Sequence, residues 1–289
     1  MKRVFIVGAI GFGKMSDECM MHQVMVNVRQ DHPGAHVGVL SDQPGQTAKL
    51  GVEAVPRHDV KAMWEAVEDS DTVVWLWSEH VTDWRTFGLE LLLIRLAKWR
   101  NKHLVVYRPA ASPQPAGWLA GPARRVCSKS DETYVYGLTD DVHPHPLVAV
   151  RPSRRDGLRL LQEEGIYTSQ RPVAWCIDHK TVSQRTRDVA SLADELVEEG
   201  THLVFLPVDH FADMEAANHV LDHMRRAVPV VRKMYPPQQW IDILADMHAV
   251  VTTYDAVQAL CSGLHVPCVR LNEEMTVNDI DRLRQGVNE

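Results

Sequence analysis

The feature that most narrows the fold of this chain is an alternation. Short apolar runs of strand length recur between stretches that are amphipathic at the helical period. That order calls for parallel sheets joined by right-handed helical crossovers. In the first half the strand-like runs fall at 3–9, 36–40, 52–55, 72–77 and 104–107. Between them, Met20, Met21, Val24, Met25 and Val28 stripe one helix and Met63, Trp64 and Val67 another. The stretch 87–99 is apolar on most of its faces and reads as a helix packed on both sides.

The rhythm breaks at 110–122, where Pro113, Pro115, Gly117 and Pro122 predict a loop with at most one helical turn. A second proline-punctuated stretch, Val142-His143-Pro144-His145-Pro146, precedes a short helix at 156–164 and a linker at 165–170. A second alternating series follows, with strands at 172–177, 202–206, 230–232, 249–252 and 268–271. Its helices are striped by Val189, Leu192, Ala193, Leu196 and Val197, and then by Phe211, Met214, Ala217, Val220, Leu221 and Met224. Trp240, Ile243, Leu244 and Met247 mark a further helix, and Ile280 and Leu283 a last one. The expected class is α/β: two Rossmann-like parallel-sheet domains, 1–167 and 168–289, facing a cleft. Ligands of such sheets bind beyond the carboxyl ends of the strands.

Composition excludes several functions. A net charge of −7 argues against non-specific nucleic-acid binding, which needs a basic footprint. Five scattered cysteines imply no disulfide framework and point to a reducing, cytoplasmic setting. No apolar run reaches the ~18 residues of a membrane span, and the apolar start reads as a buried first strand rather than a signal peptide. Glycine is scarce: 16 residues, below the usual ~7%. Loops that cradle phosphate normally use it.

Several loops carry candidate chemistry. Gly8, Gly11, Phe12 and Gly13 sit between the first strand and the first helix, whose first turn holds Asp17 and Glu18. The spacing is not that of a dinucleotide fingerprint. Asp17 is either a helix-capping carboxylate or an acid/base facing a ligand. Trp75 and Trp77 share one face of a strand, and Trp77 ends it. His143 and His145 form the best histidine pair. In the second half, Asp178-His179-Lys180, Asp209-His210 and Thr253-Tyr254-Asp255 each follow a strand; they read either as helix caps or as an anion site in which Lys180 is a point charge. Cys261, His265 and Cys268 have a loose metal-like spacing but lack a fourth ligand, so no metal is expected.

Taken in order, Arg3 to Ile6 with Gly8-x-x-Gly11-Phe12-Gly13-x-x-x-Asp17-Glu18 resembles the opening of the polysaccharide pyruvyl transferases. Further collinear matches are Gly51 to Arg57, Leu91 to Lys98, Asp131-Glu132, Val204 to Pro207 and Val266-Pro267. The resemblance implies a GT-B-like pair of domains and transfer of a pyruvyl group from phosphoenolpyruvate to a glycan hydroxyl. It implies no cofactor; the partners are a small anionic donor and a glycan acceptor, and a homo-oligomer stays open. Leu76, Trp77 and Ser78 stand where the family has a triple glycine, with Asp83 kept. Arg108 opens a segment, through Pro113, that replaces another glycine turn. Tyr254-Asp255-Ala256 replaces an Arg-Leu-His element, and the second half is expected to be one or two elements shorter than in the family. In an active enzyme, Asp17, His179 and His210 would be catalytic. Gly11, Phe12, Gly13, Trp77, Asp83, Arg108, His145, Lys180, Tyr254 and Asp255 would bind substrate. The alternatives are a catalytically inactive homologue, in which Trp77 or Tyr254 fills the phosphate position, and a GT-B glycosyltransferase using a nucleotide sugar.

Overall fold

The computed structural model describes residues 1–78, 84–109, 117–137, 143–153, 156–168 and 170–271. The chain divides into two compact units, Met1–Pro146 and Leu147–Glu289.

The first unit runs β1 (Arg3–Gly8), α1 (Met15–Asp31), β2 (His36–Ser41), α2 (Pro44–Thr47), β3 (Glu53–Pro56), α3 (Val60–Asp69), β4 (Thr72–Leu76), α4 (Trp84–Trp99), β5 (His103–Pro109), α5 (Gly117–Cys127), β6 (Glu132–Gly137) and β7 (His143–Pro144). All its strand pairings are parallel, in the order β3-β2-β1-β4-β5-β6-β7. The apolar runs are continuous because both faces of the sheet are covered. Side chains alternate across the sheet. Val4 and Ile6 of β1, with Val74 and Leu76 of β4, join Met21, Val24 and Met25 of α1. Phe5, Val7, Val73 and Trp75 enter a second core with Met63, Leu91 and Ala123 from α3, α4 and α5.

The second unit runs α6 (Gly157–Glu163), β8 (Val173–Cys176), α7 (His179–Glu198), β9 (Leu203–Phe205), α8 (His210–Leu221), α9 (Pro237–Ala245), β10 (Ala249–Thr252), α10 (Asp255–Leu264) and β11 (Cys268–Arg270). Its four parallel strands are ordered β11-β10-β8-β9. Trp175 stacks on Phe205 at 5.7 Å within the core.

Several elements depart from expectation. The division into units precedes the linker expected at 165–170, because α6 packs on α9: Leu158 N–H and Ser153 reach the Asp246 and Asp242 carboxylates. Of the loop expected at 110–122, residues 110–116 lie outside the described residues, and from Gly117 the chain forms α5, which runs through Pro122 because Ala123 and Val126 are buried on the sheet. β6 and β7 are not among the expected strands. The expected strand at 230–232 is reduced to a single bridge from Val230 to Phe205. There the Glu164 carboxylate takes the Arg232 and Lys233 amides at 2.8 and 3.0 Å and turns the chain away from the sheet. Phe211 and Trp64, expected in apolar stripes, are exposed, and the buried stripe of α8 is Asp213, Ala216, Ala217 and Val220. The last helix expected near Ile280 lies outside the described residues.

Candidate functional site

Each sheet reverses its strand order once, between β1 and β4 in the first unit and between β8 and β10 in the second. At such a reversal neighbouring loops diverge and leave a crevice at the carboxyl ends of the strands. The sequence-predicted residues that sit at either reversal are the strongest candidates.

In the first unit, the loop after β1 is built for close packing. Gly11 has φ +86°, and a Cβ there would lie 2.5 Å from the Gln43 nitrogen and 2.6 Å from Ser41 Oγ. Only glycine fits this approach to the end of β2. The Gly11 N–H donates to Glu18 Oε1 at 2.6 Å. Gly13 also has a positive φ, +77°. Phe12 lies 5.1 Å beneath the Arg57 guanidinium. Asp17 is buried in the first turn of α1 and accepts a hydrogen bond from Ser78 Oγ at 2.9 Å, so it ties α1 to the end of β4 across the reversal.

Glu18 stands beside Asp17 in the same first turn. Burial pushes its carboxyl up to about 7, against the pull of the Gly11 N–H. The folded protein therefore holds a proton there that the unfolded chain has already released. Stability should fall as pH rises from about 4.5 to about 7. Glu18→Gln is expected to be more stable than wild type at pH 8, by about 2–3 kcal/mol, and to lose that pH dependence. Urea titrations at pH 4 and pH 8 check this; equal stability of the two proteins at pH 8 would refute it.

Beneath this loop, Arg57 is buried and donates to the Gly8 carbonyl. It also pairs with Glu90 at 3.4 Å, whose other oxygen accepts from Trp75 Nε1 at 3.2 Å. Burial raises Glu90 while Arg57 opposes that shift. This pair anchors β1, β3, β4 and α4 under the glycine loop.

Two candidates of the first unit do not belong to such a site. Trp77, expected where a ligand would lie or in a phosphate position, is buried in the core, stacked on Trp75 at 5.2 Å and against Phe87 at 5.4 Å. Its indole is simply more apolar surface for α4 to cover. His145 is buried edge-on against Tyr136, at 4.5 Å, rather than in a ligand crevice. Arg108 stands at the carboxyl end of β5, partly exposed, where its charge acts on the Cys127 thiol. Asp83 lies outside the described residues.

In the second unit, one buried carboxylate gathers the loops. Asp213 Oδ2 accepts from the Val208 and Asp209 amides at 3.0 and 2.8 Å. Its Oδ1 accepts from the His179 amide at 3.2 Å. The Tyr254 hydroxyl donates to both oxygens, at 2.9 and 2.8 Å. Residues from the ends of β8, β9 and β10 therefore meet at one group. Burial pushes the Asp213 carboxyl up to about 6, outweighing these donors. It also drives the Tyr254 hydroxyl well above its ordinary range, helped by the Asp213 charge.

Around this hub, Asp178 caps α7 through the Thr181 amide at 2.9 Å, and its own amide donates to Thr253 Oγ1 at 2.9 Å. His179 and Lys180 are exposed in the first turn of α7. His210 opens α8, partly buried and edge-on to Phe211 at 5.4 Å, and burial lowers its imidazole. The first turn of α10 has no side-chain cap at Tyr254, and Asp255 within it is ion-paired with Arg270. The structure thus places His179, Lys180, His210, Tyr254 and Asp255 after the carboxyl ends of β8, β9 and β10 in the second sheet. Among the described residues, no three His, Cys, Asp or Glu side chains come together as metal ligands.

Sequence reasoning missed Asp213. The available signal was a carboxylate on the core-facing stripe of α8, four residues after the capping Asp209. Arg57 and Glu90 carried no signal, because their pairing joins β3 to α4.

No family model and no curated protein matches the sequence. Solved structures do match the fold. ADP-heptose LPS heptosyltransferase II of E. coli aligns with TM-score 0.55 and 14% identity, over 93% of this chain and 84% of that one. UDP-GlcNAc 2-epimerase of Neisseria meningitidis, bound to UDP-GlcNAc, aligns with TM-score 0.59 and 11% identity, over 97% and 85%. S. aureus MnaA, determined with UDP, aligns with TM-score 0.63 and 9% identity, over 100% and 88%. At such identities the likeness is one of fold: this chain has two Rossmann-like units and is similar in architecture to GT-B glycosyltransferases and sugar-nucleotide epimerases.

Proposed function

We propose that this chain binds a nucleoside-diphosphate sugar and acts on it as a GT-B-type transferase. The observation that carries this reading is the convergence of the β8, β9 and β10 loops on Asp213 at the strand-order reversal of the second sheet. A loop cluster held this tightly presents a fixed set of groups to a ligand. Lys180 supplies a point charge suited to a diphosphate. The first turn of α10, not capped by a side chain, supplies backbone N–H groups for an anion. The fold neighbours support the ligand class, since several are glycosyltransferases or act on UDP-GlcNAc.

The test is a thermal-shift and calorimetric screen with UDP-, ADP- and GDP-linked sugars, the free diphosphates and phosphoenolpyruvate. At least one sugar nucleotide should raise the melting temperature by about 5 °C when present at a hundredfold its Kd, where binding adds ~2.7 kcal/mol. Lys180→Ala should weaken that affinity roughly tenfold, ~1.4 kcal/mol. A shift with phosphoenolpyruvate alone would replace this reading with the pyruvyl transfer that the sequence resemblance implies. No shift with any of these ligands would leave a non-catalytic module.

A further inference from the structure

The sequence reads 87–99 as packed on both sides, but among the described residues α4 is covered on one side only. Phe87, Leu91, Ile94 and Ala97 are buried on the sheet. On the opposite side Trp84, Leu92 and Trp99 are 55%, 62% and 68% exposed. At 100° per residue these three, with Gly88 and Arg95 between them, fall within an arc of about 80°. A Cβ on Gly88 would meet nothing within 4 Å, so no other part of the chain covers the stripe there, and Arg95 sets a cation within it. From Trp84 to Trp99 it runs about 22 Å. Trp64 of α3 extends it sideways: the Arg100 guanidinium lies between the Trp64 and Trp99 rings, at 5.5 and 4.6 Å, and is ion-paired with Glu68.

The charge around this stripe runs against that of the chain. Segment 84–102 carries Arg85, Arg95, Lys98, Arg100 and Lys102 against a single acid, Glu90, which is buried. The neighbouring α5 adds exposed Arg124 and Arg125. The chain as a whole has a net charge of −7. Some of these charges are already paired, Arg100 with Glu68 and Lys98 with Asp131 at 3.0 Å, as Glu65 is with Lys61 at 3.6 Å, so the positive excess on this face is carried foremost by Arg95 and Arg125.

We infer that the outer face of α3, α4 and α5 docks on an anionic lipid bilayer surface. Tryptophan and leucine seat in the interfacial zone between headgroups and acyl chains, and arginine and lysine beside them meet anionic headgroups. A second copy fits less well. A two-fold contact sets each patch on its own image, so the cations of one α4 would face those of the other. Among the described residues no helix is long and apolar enough to cross a membrane, so the contact would be made from the surface.

Flotation of the purified full chain with vesicles tests this. The chain should float with phosphatidylcholine–phosphatidylglycerol vesicles, stay behind with phosphatidylcholine alone, and be released by high salt. The double variants Leu92→Ser with Trp99→Ser, and Arg95→Glu with Arg125→Glu, should each weaken binding about tenfold or more. Both should keep the wild-type melting temperature, because the altered side chains are solvent-exposed. The inference is overturned by equal binding to both vesicle types, by binding that neither variant weakens, or by a gel-filtration dimer that Leu92→Ser with Trp99→Ser dissociates while no vesicle binding is seen.

Discussion

Asp213→Ala should destabilise the second unit by roughly 3–5 kcal/mol, the cost of removing one partner from a buried charged network. The change strips the acceptor from three backbone amides and from the buried Tyr254 hydroxyl. The His179 amide, beside an exposed side chain, can recover water. The Tyr254 hydroxyl, in the core, cannot. A loss of this size lowers the melting temperature by about 8 °C or more. Calorimetry on the whole chain checks the figure; a change under about 2 °C would show that Asp213 does not hold the loops together. The proposed affinity for a sugar nucleotide should fall with it, because the loops after β8, β9 and β10 lose their common anchor.

A pH arm separates the charge from the shape. Asp213 titrates at about 6 in the folded protein and at an ordinary 3.8 once unfolded. Between these values the folded state holds the extra proton, so stability falls as pH rises through that window. Asp213→Asn has no such group. Its stability relative to wild type should therefore rise from about pH 4 to about pH 6 and then level off.

Gly11→Ala should be at least as damaging to the first unit. The residue has φ +86°, which costs an alanine about 1–2 kcal/mol by itself. The new Cβ would also sit 2.5 and 2.7 Å from the Gln43 and Asp42 nitrogens, which belong to backbone and cannot swing aside. Either the loop lifts off the end of β2, breaking the 3.0 Å bond from the Asp42 amide to the Ile10 carbonyl, or the end of β2 shifts. We expect a loss of about 3 kcal/mol or more, with Glu18 losing its Gly11 donor in the same event. Hydrogen exchange at Gly11 and Asp42, beside chemical denaturation, checks both. Unchanged protection at these amides would show that the loop accommodates a side chain after all. Gly34, where nothing lies within 4 Å and no positive φ is recorded, is the matching control: alanine there should be nearly neutral.

Much of the architecture is legible from one-dimensional patterns. β1, β4 and β10 each hold an unbroken apolar run, at 4–7, 73–76 and 249–251, because both faces are covered, and that run is visible in any reading of the residues. The glycine loop, the caps Asp178 and Asp209, and the order of alternating elements are local facts of the same kind. Elements whose stability comes from distant surfaces were harder to read. Pro122 argues locally against a helix, and α5 forms because Ala123 and Val126 reach the core. The segment at 230–232 has strand composition, yet the Glu164 carboxylate draws its amides elsewhere.

The candidate site divides along the same line. The residue types and their places after strands were set by the sequence: an acidic first turn at Asp17 and Glu18, and short polar runs after β8, β9 and β10. Which of them act together was decided in three dimensions. Trp77 and His145 occupy positions that invite a ligand, but their rings are worth more buried, and the core takes them. Asp213 looks unremarkable on its helix and becomes the centre of the second unit because burial makes its unpaired charge expensive. Four donors from three loops then have to meet it. Periodicity along a chain records which side of an element is apolar, so it fixes the layers. It does not record which partner from a distant loop satisfies a buried polar group, and the proposed site rests on those partners.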